Sequence, residues 1–254
     1  MSQTAPGVLV TRPAHQSAAL IQQIQNLGLV AIPCPANAIN AIQPEMPALR
    51  RENYPIIIFI STNAVENGIK YIEHATNFAE KQIFAIGKST AQSLFDRGLS
   101  QVTQPSNGFN SEALLTLDAF SPEHIKQQNI LIIRGQGGRE HLAEALRHRG
   151  ARVDYLEVYQ RIQADPDIDP IINRWSAGQI NIVTVSSNES LKNLYHILQG
   201  RGLTLLLNTP LITPGERCSE LARQLGFSDQ ILQATSATDD DIMMQLKIWL
   251  DSKN

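Results

Sequence analysis

The chain has 254 residues, of which 43% are hydrophobic and 18% charged, and its formal net charge is −3. This composition supports one or two globular domains, and the slight negative charge argues against a nucleic-acid-binding protein, which would usually carry a basic face. The sequence has no run of about 18 apolar residues and begins without the basic and apolar segments of a secretory signal. We therefore predict a cytoplasmic protein that does not span a membrane, with two free thiols at Cys34 and Cys218.

Short apolar runs rich in Ile and Val alternate with amphipathic segments along most of the chain. The runs are too short for buried helices, so they predict strands, and their continuous apolar character is typical of parallel strands covered on both faces. In chain order, these predicted strands are residues 8–10, 29–32, 56–60, 83–86, 130–133, 180–185 and 211–213.

Helix-period apolar stripes lie between the predicted strands and indicate helices that pack on the sheets. The clearest stripes are at residues 20–27, 64–72, 142–146 and 221–225. Capping-box spacing predicts two helix starts, at Asn63 with Glu66 and at Ser89 with Gln92.

Two extended stretches, residues 35–42 and 154–161, interrupt this alternation. In the second, Tyr155, Glu157 and Tyr159 occupy alternate positions and are predicted to share one side of a strand. If the two stretches pair, they form a ladder through which the chain leaves one lobe and returns to it. The predicted domains are then a discontinuous lobe one, a lobe two and the ladder, at residues 1–36 plus 166–254, 44–153, and 37–43 plus 154–165.

Three short motifs occur twice, at offsets of about 122 to 127 positions. The pairs are residues 61–63 and 186–188, 85–90 and 212–217, and 9–12 and 132–134. This repetition predicts two lobes of similar design, with a cleft that could hold a ligand from both sides. The predicted fold class is α/β, with two similar parallel-sheet lobes, helices on both faces of each sheet, and a two-stranded β-ladder that joins the lobes.

The loops after the predicted strands are the candidate binding site, because open parallel α/β sheets bind ligands outside the carboxyl ends of their strands. Most of these loops precede a helix, so their N–H groups and the helix dipole would suit a ligand with several carboxylates or phosphates. Helix capping by the serines, threonines and asparagines, and solvation of the arginines, remain the alternatives. The candidate residues are Arg12, Ser61, Thr62, Asn63, Lys88, Ser89, Thr90, Arg134, Gly135, Arg139, Ser186, Ser187, Asn188, Gly215 and Arg217.

The motifs of several common enzyme classes are missing from the sequence. There is no Gly-x-Ser-x-Gly elbow, no metal-ligand spacing among the scattered histidines, and no P-loop or dinucleotide-binding pattern at residues 134–139. An enzyme with these residues would work by positioning and charge stabilisation. The alternative is a cytosolic two-lobed protein that binds or senses a small anion without catalysis, and substrate turnover would distinguish the two.

Six motifs in order along essentially the whole chain resemble the uroporphyrinogen-III synthase family. They lie at residues 10–13, 60–65, 86–91, 111–115, 133–140 and 158–161. The resemblance implies two α/β lobes joined by a two-stranded ladder, with the active site between them. It also implies a lyase reaction without a metal or organic cofactor. In that reaction hydroxymethylbilane, a linear tetrapyrrole rich in carboxylates, loses water and closes with its last ring inverted, through azafulvene and spiro intermediates.

The resemblance also implies roles for particular residues. Tyr159 matches the tyrosine favoured as proton donor to the departing hydroxide, although it could instead only anchor the lobe junction. Ser61 and Thr90 match polar residues of the family's cleft, whereas Arg217 stands where some members carry threonine. The expected partner is the small-molecule substrate, with no nucleic acid and no membrane. We expect a monomer, with a transient contact to the preceding pathway enzyme left open.

Overall fold

The computed structural model describes residues 5–44, 54–72, 78–108, 110–138, 140–227 and 230–253. The chain forms two compact units. Unit 1 combines the two ends of the chain, up to Ala38 and from Ile162 onwards, and unit 2 is Ile39–Arg161.

The strands of the described residues include each of the seven predicted from apolar runs. In chain order they are β1 (Gly7–Val10), β2 (Val30–Pro33), β3 (Asn37–Ala41), β4 (Ile56–Phe59), β5 (Gln82–Ala85), β6 (Val102–Thr103), β7 (Asn129–Gly135), β8 (Arg152–Gln163), β9 (Ile182–Thr184), β10 (Leu211–Thr213) and β11 (Ile231–Gln233).

The α-helices of the described residues lie between these strands or, for the last one, after them. They are α1 (Ala14–Asn26), α2 (Thr62–Ile72), α3 (Lys88–Phe95), α4 (Ser111–Leu114), α5 (Pro122–Ile125), α6 (His141–His148), α7 (Asp169–Ser176), α8 (Asn188–Ile197), α9 (Leu203–Leu207), α10 (Glu216–Gln224) and α11 (Asp239–Asp251).

One sheet lies in unit 1 and the other lies mostly in unit 2, and five strands of each follow the same order. The sheet of unit 1 has the order β11-β10-β9-β1-β2 and that of unit 2 the order β3-β8-β7-β4-β5-β6. When the sheet of unit 2 is read in the order β6-β5-β4-β7-β8, each strand has a counterpart at the same place in the sheet of unit 1. Adjacent strands of these two sets are parallel in both sheets. The repeated motifs therefore occupy equivalent places, at the carboxyl ends of β1 and β7, β4 and β9, and β5 and β10.

Both faces of each sheet are covered, which explains the continuous apolar runs. In β1, Leu9 packs into one hydrophobic cluster of unit 1 while Val8 and Val10 pack into the other. In β4, Ile57 and Ile58 divide in the same way between the two clusters of unit 2. Because successive strand residues point to opposite faces, a strand buried on both faces needs an apolar residue at every position.

The two extended stretches pair, but the ladder is continuous with the sheet of unit 2. β3 and β8 are neighbours at the edge of the six-stranded sheet. The Ala164 amide donates to the Ala36 carbonyl at 3.0 Å and the Ile42 amide to the Val158 carbonyl at 3.1 Å, so the two strands run antiparallel. β8 also pairs with β7 from Arg152 to Tyr159, so the two paired stretches continue the sheet of unit 2 at its edge.

A bulge in β8 interrupts the alternation of faces that was predicted for residues 154–161. Arg134 pairs with Glu157 and Gly135 with Tyr159, which leaves Val158 as an extra residue. Val158 and Tyr159 are consequently both buried in the same cluster, whereas Tyr155 packs against the cluster on the opposite face. The prediction that Tyr155 and Tyr159 share one side of the strand is wrong, because one inserted residue reverses the faces beyond it.

The two predicted capping boxes are also wrong. α2 begins at Thr62, and the Ala64 amide donates to the Ser61 Oγ at 3.1 Å, so Asn63 lies inside the helix. α3 begins after Gly87, whose extended backbone supplies the N-cap without a side chain. Spacing between polar residues does not determine which of several consecutive residues adopts the extended conformation that an N-cap requires.

Candidate functional site

The carboxyl ends of β9, β10 and β11 border a cleft of about 700 Å³ in unit 1. Parallel strands end at the same edge of a sheet, so the loops that follow them lie side by side. The cleft brings together five predicted binding residues, Ser186, Ser187, Asn188, Gly215 and Arg217.

The third side of this cleft is a loop that was not predicted from the sequence. Thr235, Ser236 and Ala237 follow β11 and line the cleft with the predicted residues. β11 itself was not predicted because its apolar run is only Ile231-Leu232. The signal that could have found this loop is its equivalence to the other loops that follow parallel strands.

Ser187 is the N-cap of α8 and uses its hydroxyl for that purpose. The Ser187 Oγ accepts the Ser190 amide at 3.0 Å, and the Ser190 Oγ accepts the Ser186 and Ser187 amides at 3.2 and 3.0 Å. These contacts form a capping box. The first amides of α8, beginning at Asn188, have no carbonyl acceptor within the helix.

Gly215 is the N-cap of α10 and has a φ of 147°. A Cβ at this position would meet nothing within 4 Å, so the backbone conformation rather than space favours glycine. The first turn of α10 adds amide donors and the exposed Arg217 to the cleft, but Glu189 and Glu216 add two carboxylates. An anion bound here would use the amides and Arg217 and avoid the two glutamates.

Arg12 is already engaged within unit 1. Its guanidinium donates to the Asp239 carboxylate and to the Ala237 carbonyl, and its side chain is 15% exposed. These contacts hold the segment that follows β11 in place. Ala237, which belongs to this segment, lines the cleft. Arg12 thus supports one wall of the cleft, and its predicted role as a direct clamp would require it to exchange these partners.

In unit 2, the side chain of Arg134 is buried, with an exposed fraction of 2%. Its Nη1 donates to the Glu140 Oε1 at 2.9 Å, its Nε donates to the Gly135 carbonyl at 3.2 Å, and its guanidinium carbon lies 4.4 Å from the centre of the Tyr155 ring. The Tyr155 hydroxyl donates to the Glu140 Oε2 at 2.5 Å. Sequence reasoning chose Arg134 but not Tyr155 or Glu140, whose roles depend on these contacts.

The Arg134 cluster shifts the pKa values of its acidic members. The hydrogen bond from Tyr155, together with Arg134, lowers the pKa of the Glu140 carboxyl. Burial raises the pKa of the Tyr155 hydroxyl, and the neighbouring Glu140 raises it further. At neutral pH the cluster therefore holds a cationic guanidinium, an anionic carboxylate and a protonated phenol.

Tyr159 lies beneath the end of β7. Its hydroxyl is 3.1 Å from the Ser61 Oγ, and it is 2% exposed. A Cβ on Gly135 would lie 2.5 Å from the Tyr159 ring, so this close approach requires glycine at position 135. The structure thus brings together three predicted residues, Tyr159, Ser61 and Gly135.

The other predicted residues of unit 2 lie at the starts of α2 and α3. Thr62 is half-buried, and Lys88 and Ser89 are exposed. Thr90 and Asn63 are buried, and the Asn63 Oδ1 has no hydrogen-bond partner among the described residues. Arg139 lies outside the described residues.

Comparison with known proteins gives consistent matches over the length of the chain. The family model described as uroporphyrinogen-III synthase HemD matches residues 18–243. The chain is 30% identical to the uroporphyrinogen-III synthase of Escherichia coli K12 and 32% identical to that of Salmonella typhimurium LT2, each over 94% of this chain and 99% of the relative. This chain belongs to the uroporphyrinogen-III synthase family.

The solved structures agree with this family assignment at the level of the fold. The uroporphyrinogen-III synthetase of Helicobacter pylori 26695 superposes with a TM-score of 0.60 at 15% identity, over 96% of this chain and 99% of that chain. The predicted α/β fold class and the predicted uroporphyrinogen-III synthase activity are thereby confirmed, and nothing in the comparisons supports a binding or sensor protein without catalysis.

Two further observations concern the described part of the chain. No helix there has the length and apolar character needed to cross a membrane. No group of three or more His, Cys, Asp and Glu side chains there is arranged to hold a metal ion.

Proposed function

We propose that this chain closes hydroxymethylbilane to uroporphyrinogen III, with loss of water and inversion of the last pyrrole ring. The observation that carries the proposal is the match of the family model to residues 18–243. The reaction requires a flexible polyanion to be folded so that its ends meet, which is chiefly a problem of orientation. The polar loops at the strand ends of both units provide groups that suit this task.

The carboxylates of the substrate would be held by the predicted loop residues of each unit. In unit 1, the first amides of α8 and α10 and the exposed Arg217 support this role. In unit 2, Thr62, Asn63, Lys88, Ser89 and Thr90 lie in the first turns of α2 and α3. Binding of this kind needs neither a metal nor an organic cofactor.

Tyr159 is the proposed source of the proton that leaves with the hydroxide. Its hydroxyl lies 3.1 Å from the Ser61 Oγ, and Ser61 is half-buried whereas Tyr159 is buried. The Ser61 Oγ accepts the Ala64 amide, so its hydroxyl hydrogen remains able to point elsewhere. Ser61 could thus pass its proton to the departing oxygen while it receives the Tyr159 proton.

Our proposal for the domain organisation is a discontinuous lobe one, a lobe two and a ladder with the bounds predicted from the sequence. It is supported by the hydrophobic clusters, each of which is confined to a single unit. We further propose that the protein is a cytoplasmic monomer, with a transient contact to the enzyme that supplies its substrate.

The deciding experiment is isomer analysis of the product. The purified protein is incubated with freshly prepared hydroxymethylbilane, the products are oxidised, and uroporphyrins I and III are separated. Isomer III well above a heat-inactivated control establishes the synthase. Isomer I alone, at the spontaneous rate, would refute the activity.

A further inference from the structure

The Arg134 guanidinium has one arm without a partner in the described part of the chain. Nη1 and Nε have acceptors, but Nη2 is buried and has no hydrogen-bond partner among the described residues. Leaving a charged donor buried without an acceptor costs free energy, and native proteins seldom do so without a functional reason. The arm therefore indicates an acceptor other than the described residues.

Glu140 does not contact this arm in the present arrangement, and each of its oxygens accepts from another donor. Oε1 accepts from Arg134 Nη1, and Oε2 accepts from the Tyr155 hydroxyl at 2.5 Å. The Tyr155 ring also stacks on the guanidinium at 4.4 Å, and Glu157 lies 3.8 Å from Nε rather than at Nη2. These groups hold the guanidinium in one orientation and leave Nη2 without an acceptor among the described residues.

Arg134 lines a pocket of about 230 Å³ that lies wholly within unit 2. Its lining is mainly apolar, with Ile60, Ile86 and Leu142 among its walls, and its other polar members include Ser111 and the exposed Arg161. Nη2 lies under Gly138, which also lines the pocket, and a Cβ at this glycine would lie 2.6 Å from Nη2. A buried cationic donor thus adjoins a small apolar pocket.

We propose that this pocket, the Arg134 pocket, binds a carboxylate on a short apolar stem, and that Glu140 and Tyr155 are positioning residues that keep Nη2 free for it. The inference rests on the proposed function, in which the ligand is one acetate or propionate arm of the tetrapyrrole. The apolar walls receive the stem, and a small shift of Gly138 brings Nη2 to the carboxylate. A phosphate fits less well, because Glu140 and Glu157 already offset the charge of Arg134.

A binding experiment tests the pocket without the reaction. Guanidinium signals of the full chain labelled with ¹⁵N-arginine are recorded by NMR, and the Arg134 signal is assigned with Arg134→Gln. Sodium propionate should shift this signal, whereas sodium chloride and inorganic phosphate at equal ionic strength should not. Glu140→Gln should weaken the propionate response about tenfold by freeing the guanidinium to reorient. An unchanged Arg134 signal, or an equal response to phosphate, would overturn the proposal.

Kinetics with hydroxymethylbilane test whether the substrate uses the pocket. Arg134→Gln should raise KM about tenfold and change kcat by less than about twofold, as loss of a uniform binding contact predicts. Gly138→Ala should raise KM similarly while keeping the charge, because its Cβ would displace Nη2. Arg147→Gln is the matched control, since Arg147 lies 5.5 Å from the same Tyr155 ring but not in the pocket lining, and it should leave KM unchanged.

The outcomes separate this proposal from the proposed function. If the wild-type protein forms no isomer III, the synthase activity fails, and the propionate titration still decides whether the pocket binds carboxylates. If isomer III forms, but propionate does not shift the Arg134 signal and the variants do not change KM, only the proposal for the Arg134 pocket is refuted. If Arg134→Gln does not fold, Gly138→Ala and Glu140→Gln provide the same comparison.

Discussion

At the scale of single residues, Tyr159 combines a fixed position with a polar contact. Replacing it with phenylalanine keeps the ring beneath Gly135 and removes only the hydroxyl that contacts Ser61. We expect Tyr159→Phe to lower kcat for isomer III about 10²-fold, the range for loss of a general acid. The free energy of unfolding should fall by only about 1 kcal/mol.

The measurement for Tyr159 is steady-state formation of isomer III, with urea unfolding as the check on the fold. Ser61→Ala should reduce kcat in the same direction if the proton passes through Ser61. Unchanged activity in Tyr159→Phe would remove this hydroxyl from the mechanism and leave Tyr159 as a structural anchor.

The two cysteines give a prediction about pH. Burial raises the pKa of the Cys34 and Cys218 thiols from 9.0 to about 11. At pH 8 both thiols should remain protonated and react with iodoacetamide much more slowly in the folded protein than in urea. Because these pKa values are raised, their contribution to stability is complete below about pH 9 and is lost as the pH rises towards about 11.

Mass spectrometry of alkylated protein and urea midpoints at pH 8 and pH 10.5 measure these effects. Equal alkylation of native and unfolded protein at pH 8 would contradict the burial of the thiols.

At the scale of the elements, the capping box of α8 is the contact most open to test. The Ser187 side chain accepts the Ser190 amide at 3.0 Å, so Ser187→Ala should lower the free energy of unfolding by about 1 kcal/mol. Ser89→Ala is the matched control, because Ser89 is exposed and the N-cap of its helix is Gly87. It should cost less than about 0.5 kcal/mol. Urea unfolding measures both, and equal losses would show that the box adds nothing.

At the scale of the whole molecule, each unit has its own cores on both faces of its sheet. We expect a fragment of residues 39–161, which is unit 2, to fold alone and unfold cooperatively in urea. A fragment of residues 39–151 is the control, because it lacks β8 and with it the buried Leu156, Val158 and Tyr159. Circular dichroism compares the two, and a disordered longer fragment would show that unit 2 depends on unit 1.

The sequence predicted most of the fold because its signals are local. A strand covered on both faces needs consecutive apolar residues, so β1, β4 and β7 are recognisable from a few adjacent positions. β6 and β11 were not recognised, because their short edge pairings leave little apolar pattern. The repeated motifs have a structural cause, because they lie at the carboxyl ends of equivalent strands in two sheets with the same strand order.

The sequence by itself determined the α/β class, the parallel sheets and the family, because these depend on residue types at fixed local spacings. The tertiary structure decided which candidate side chains already have hydrogen-bond partners within the described part of the chain. The partner of Arg12 lies 227 positions away, so sequence spacing could not show that its guanidinium is engaged. The bulge at Val158 reversed the face of Tyr159, and only the packed pocket shows that one arm of Arg134 has no partner among the described residues. Such facts depend on long-range contacts and strand register, which no local pattern encodes.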